Sequence, residues 1–161
     1  MTARARNCLT ALVLAVGLLA NAGARAEVCT VGTTAVAFGI YDPLAVAPLD
    51  TTGNVAVTCT SVGDSRVRYD VELSTGQAGS YNPRAMTNGV SQMTYNLYTN
   101  AARSKIWGNG SGGTHDIKAN YKLLPIGSTQ TDNYTVYGRV FPGQSVTVGS
   151  YLDTIIVTVT F

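Results

Sequence analysis

Residue types that do catalysis are present in this sequence, but their spacing does not assemble them. The single histidine, His115, stands beside Asp116 at the end of a glycine-rich stretch, GNGSGGTHD (Gly108 to Asp116). A lone imidazole in such a loop reads as a solvated side chain rather than a catalytic base. No serine has a glycine two before and two after it, so the nucleophile elbow is missing. Paired carboxylates can hydrolyse glycosides. Here Asp42, Asp50, Asp64, Asp70, Glu72, Asp116, Asp132 and Asp153 scatter over loops and wet faces. The one close pair, Asp70 and Glu72, shares its face with Arg66 and Arg68. GNGSGG is not a phosphate cradle, because neither a Lys-Ser/Thr pair nor a helical pattern follows it. The aromatics offer one alternative: a sugar-stacking surface, with Tyr98 and Trp107 as its candidate glycan-facing rings. No catalytic residue, cofactor site or metal site is expected, and the chain is not expected to be an enzyme.

Three cysteines are present, Cys8, Cys29 and Cys59. The first lies in a segment that reads as a secretory signal peptide. Arg4 and Arg6 open it, Leu9 to Ala20 is an apolar run, and Ala24-Arg25-Ala26 is a small-x-small cleavage site. The run is too short for a membrane helix, which needs roughly 20 apolar residues. Cleavage after residue 26 leaves Cys29 and Cys59, an even count in an exported chain, which reads as a disulfide. A zinc site would want four ligands in close pairs, and His115 is the only histidine to join them.

Removing residues 1–26 also takes away Arg4, Arg6 and Arg25, and the formal charge of +2 becomes −1. A near-neutral chain without a basic cluster is a poor partner for nucleic acid or an anionic membrane. Residues 27–161 suffice for one domain with a real core. Their richness in Thr, Val, Tyr and Gly favours strands and tight turns over helices.

The elements follow from alternation. NVAVTCT (Asn54 to Thr60) places Val55, Val57 and Cys59 on one face. RVRYDVELS (Arg66 to Ser74) places Val67, Tyr69, Val71 and Leu73 on one face and charges on the other. Asn88-Gly89 is a hairpin turn signal. Thr30 to Phe38, Met93 to Thr99, Tyr134 to Phe141 and Asp153 to Phe161 read as further strands. Ala101 to Lys105 offers one helical turn at most. Seven or eight short strands without an amphipathic helix predict an antiparallel β-sandwich.

Several segments, taken in order, match a known family. They are Cys29 with FGIYDP (Phe38 to Pro43), TCT around Cys59, and SYNPRAM (Ser80 to Met86). After these come YNLYTNAARSKIWGNG (Tyr95 to Gly110), VYGRVFPGQ (Val136 to Gln144) and GSYLDTIIVTVTF (Gly149 to Phe161). The chain resembles the spore coat protein U domain, a family shared with subunits of archaic, Csu-type chaperone–usher pili. That resemblance implies an immunoglobulin-like sandwich that lacks its final strand. It implies a periplasmic chaperone, an usher and neighbouring pilin subunits as partners, with passage through the periplasm to the cell surface or fimbrium. A strand from a partner would fill the open groove, and Ile155, Val157, Val159 and Phe161 would form the assembly or chaperone edge. A donor segment needs roughly ten residues to fill several pockets. Only Glu27 and Val28 precede Cys29 in the expected mature chain, so it should accept a strand rather than supply one. The alternatives are a free-standing secreted coat protein and an adhesin-like glycan-binding module.

Overall fold

The computed structural model describes residues 28–62, 65–123 and 125–161. The expected signal peptide lies outside them. The strands are β1 (Val28–Thr34), β2 (Leu49–Thr60), β3 (Ser65–Leu73), β4 (Arg84–Thr87), β5 (Gln92–Tyr98), β6 (Ile117–Leu123), β7 (Thr129–Val140) and β8 (Val157–Thr160). There is no helix among the described residues. The strands form two sheets, one ordered β1-β2-β7-β5-β4 and the other β6-β3-β8, and their pairings are antiparallel. This is the expected all-β, immunoglobulin-like class. The core lies between the sheets, where β2 sends in Val55, Val57 and Cys59, and β3 sends in Val67, Tyr69, Val71 and Leu73. Each set repeats every second residue, as one-sided burial of a pleated strand requires.

Five elements depart from the sequence-based expectation, two of them by length: β2 begins at Leu49 rather than Asn54 and β7 at Thr129 rather than Tyr134, because the two strands pair with each other along their whole length. The first strand ends at Thr34, not Phe38, because the chain then leaves the sheet and crosses the inner faces of β2 and β7. Two glycines make room for that crossing. A side chain at Gly53 would strike the backbone of Thr34 and Val36, and one at Gly138 would strike the side chains of Val36 and Phe38. The last strand begins its ladder at Val157 rather than Asp153. Upstream of it Leu152 pairs with Thr87 at the edge of β4 instead. Ala101 to Lys105 forms a non-helical turn with Arg103 at φ 53°. Asn88-Gly89 turns the chain between β4 and β5, with Gly89 at φ 89°.

Cys29 sits directly opposite Cys59 in the β1–β2 ladder, and the two are joined by a disulfide. The bond closes a loop with a sequence separation of 30 residues. In the chain-entropy model such closure stabilises by about 3.7 kcal/mol. Replacing both cysteines by serine should therefore lower the urea-unfolding free energy by about that amount, with the unfolding slope raised as the unfolded chain expands.

On the outer face Arg139 grips the Asp50 carboxylate with two hydrogen bonds of 2.8 Å, and Arg103 approaches it at 3.2 Å. The Arg139 hydrogen bond holds the Asp50 carboxyl below its usual range, against a smaller upward push from burial. A carboxyl depressed in the folded state stabilises above its unfolded pKa, near 3.9. That contribution is lost as pH falls through the folded value. Melting temperatures followed from neutral to acid should fall less steeply below about pH 4 in Asp50→Asn than in the parent.

Candidate functional site

An open apolar groove of about 1200 Å³ runs across the inner face of the five-stranded sheet. Val55, Val136, Val140, Leu97, Met86 and Met93 form its floor. Two stretches of chain wall it. One is the crossing segment Ala35 to Tyr41, pinned by a Phe38–Tyr95 edge contact at 5.7 Å and by Gln144 N donating to Tyr41 Oη at 2.8 Å. The other is the C-terminal stretch from Val146 to Val157.

The backbone of both walls is underused. β8 pairs with β3 on one side, and among the described residues no strand pairs with its other side. No backbone hydrogen bond ties Ala35 to Tyr41 to a neighbouring strand among the described residues. Unpaired N–H and C=O groups beside an apolar floor are the features of a sheet edge that can take another strand.

Each C-terminal side chain named from the sequence has a defined place. Ile155 and Val157 line the groove. Val159 packs against the core. Phe161 lies beyond the groove with its ring 5.8 Å from that of Tyr69, and remains 66% exposed. Between them Ile156 points outward and is anchored by its backbone to Ser74. One end of the groove is closed by Asp153, whose carboxylate accepts from Tyr95 Oη at 2.6 Å and from Gln77 N at 2.8 Å. Burial, and then the Asp153 hydrogen bond, push the Tyr95 phenol upward, so it stays a neutral donor.

The glycan-facing pair is corrected by burial. Trp107 is wholly inside, with Nε1 donating to Val71 O at 3.0 Å, and Tyr98 is 7% exposed. Neither ring can stack on a sugar. Beneath the groove Arg84 is also fully buried. It donates to Ser74 O from Nε and Nη2, to Trp107 O at 2.7 Å and to Asn96 Oδ1 at 2.9 Å. Burial draws its pKa down, while Tyr95, Tyr81 and Asp153 pull it back up. His115 is exposed, and Asp116 is engaged by Lys118 at 2.7 Å. Among the described residues no three His, Cys, Asp or Glu side chains are grouped to hold a metal.

Sequence reasoning missed the crossing segment and the two floor methionines. The signal for the former was there, in the Val36/Phe38 alternation, but it merged with the preceding strand and with a Pro/Gly-rich loop. Alternation groups Met93 with Tyr95 and Leu97 on one face of its strand, but nothing local marks Met86 or places either methionine at a groove, which they meet through the β4–β5 hairpin.

Two layers of antiparallel strands around an open groove, stapled at one edge by a disulfide, define an immunoglobulin-like β-sandwich. The chain belongs to the spore coat protein U domain family, whose pattern matches residues 15–158. It is 31% identical over 146 residues to Protein U of Myxococcus xanthus, covering 83% of this chain and 77% of that protein. Its fold is similar to one in the crystal structure of the CsuC–CsuE chaperone–tip adhesion subunit pre-assembly complex from archaic chaperone–usher Csu pili of Acinetobacter baumannii. The TM-score is 0.52 at 21% identity, over 84% of this chain. The match spans 40% of that chain's length.

Proposed function

We propose that this protein is an exported structural subunit of a surface pilus, assembled by the chaperone–usher route, and that its groove accepts a β-strand from a partner. The observation that carries the proposal is the unpaired β8 edge beside an apolar floor. Ile155, Val157, Val159 and Phe161 recur every second residue along that edge. Over this run an added strand would extend about 20 Å at roughly 3.3 Å per residue. Backbone hydrogen bonds supply affinity, and the alternate side chains entering the groove supply register. A periplasmic chaperone occupies the groove first. The usher then directs its exchange for a neighbouring pilin's strand, and the assembled subunit stands at the cell surface. The solved neighbour, itself from a chaperone–subunit complex, supports this order of partners. From Val28 onward the first strand is committed to β2 and locked by Cys29, which favours an acceptor role over a donor role. Family membership also supports a second reading, a free-standing secreted coat protein.

Thermal unfolding of the oxidised, exported chain decides between them. A synthetic donor-strand peptide from a neighbouring pilin, at a hundredfold excess over its Kd, should add about 2.7 kcal/mol. For a domain of this size that is a Tm rise of roughly 10 °C. A high melting temperature unmoved by any such peptide would favour the coat reading instead.

A further inference from the structure

Two sheets have four edges, and three of them are managed. The edge of β4 is capped by reciprocal hydrogen bonds between Thr87 and Leu152, at 2.9 and 3.0 Å. β6 carries Lys118 and Lys122, charges of the kind that keep an edge from pairing. The free side of β8 is the groove. β1 is different. VCTVGTT has no charge, no proline and no bulge in its register with β2, and it is exposed along nearly its whole length. Its outer face continues without charge onto β2, where Thr60, Thr58, Ala56 and Asn54 lie opposite Val28, Thr30, Gly32 and Thr34.

The ladder shows which groups that edge offers. The Cα atoms of Cys29 and Cys59 are 4.1 Å apart, the close spacing of a non-hydrogen-bonded antiparallel pair, about 4.5 Å. Residues of such a pair turn their N–H and C=O groups away from each other's strand. Cys29, Val31 and Thr33 therefore direct theirs to the open side of β1, and Val28, Thr30, Gly32 and Thr34 direct theirs to β2.

We infer that β1 is a homotypic docking edge, at which a second copy of this chain adds its own β1 antiparallel, with Val31 facing Val31 across a two-fold axis. The fit is self-complementary in three respects. Cys29 of one copy falls opposite Thr33 of the other, so all three outward-directed residues on each strand meet hydrogen-bonding counterparts, giving about six bonds at two per facing pair. Thr30 falls opposite Gly32, where a small residue faces a smaller one on the outer surface. No like charges meet anywhere along the seam. A two-fold, isologous contact of this kind closes at a dimer, and it leaves the groove edge at β8 free. A charged partner strand would find no opposite charge on this edge, and the two-fold register matches each outward-directed residue to another of the same strand, which favours a second copy.

The test uses charge to read the register. In the parent, sedimentation of the exported, oxidised chain should show a concentration-dependent dimer. Thr30→Lys with Gly32→Lys sets like charges directly opposite across the seam. It should reduce the mass to that of one chain while leaving the melting temperature of the fold in place, since a side chain at Gly32 meets nothing within 4 Å. Thr30→Lys with Gly32→Glu sets opposite charges face to face and should restore the dimer. A parent chain that stays monomeric at the highest soluble concentration would overturn the inference. So would a dimer that survives the double lysine variant, or two variants that behave alike.

Discussion

Arg84→Met is expected to cost about 4 kcal/mol of folding stability, enough to leave much of the chain unfolded in the cell. The size follows from what the side chain holds. Arg84 is fully buried and donates to Ser74 O, Trp107 O and Asn96 Oδ1, three acceptors on three separate stretches of chain. Methionine fills a similar volume but donates to none of them. Each acceptor left unsatisfied and dry costs about 1–3 kcal/mol. Part of that is offset, because an expensive buried charge has gone with the guanidinium. Lysine should not rescue the fold, since an ammonium on a flexible stem cannot span a planar fork's three targets. Urea unfolding of the parent, Arg84→Met and Arg84→Lys checks this. A methionine variant within about 1 kcal/mol of the parent would mean the guanidinium is tolerated rather than required.

Local pattern and non-local geometry contribute differently to what can be read from the residues alone. β2 and β3 were legible because one-sided burial writes itself as alternation: Val55, Val57 and Cys59 in one, Val67, Tyr69, Val71 and Leu73 in the other. The hairpin at Asn88-Gly89 was legible because glycine there meets a positive φ. Arg84 was not. Alternation assigns an arginine to water, and only partners 10 to 23 residues away make burial tolerable. Trp107 misled for a related reason. Beside a glycine-rich loop it reads as exposed, yet its indole N–H is satisfied by Val71 across the sandwich. The groove was half legible. Its C-terminal wall follows from the Ile155/Val157 alternation, but the opposite wall depends on Gly53 and Gly138 leaving space for Val36 and Phe38. That is a relation between strands and leaves no periodic trace in either one.

Val157→Asp is expected to abolish strand acceptance, with donor-peptide affinity falling at least about a hundredfold, the equivalent of roughly 3 kcal/mol. Val157 faces Leu73 in the β3–β8 ladder and turns its side chain into the groove. In the empty protein the new carboxylate can reach water through the open side. An incoming strand would seal it against an apolar floor with no cation to pair with, so most of the penalty falls on the bound state. The substitution also weakens the core on that side, and an unfolded variant would blur the reading. Two further variants separate the effects. Val157→Thr keeps the shape and adds one hydroxyl, so it should fold and bind about tenfold more weakly. Thr158→Lys sits on the opposite face of β8, across from Glu72, and should leave the peptide-induced rise in melting temperature intact. Affinity that drops equally for the inward and outward substitutions would place the binding surface elsewhere. A Val157→Asp chain that still gains stability from the donor peptide would remove β8 from the proposed assembly edge altogether.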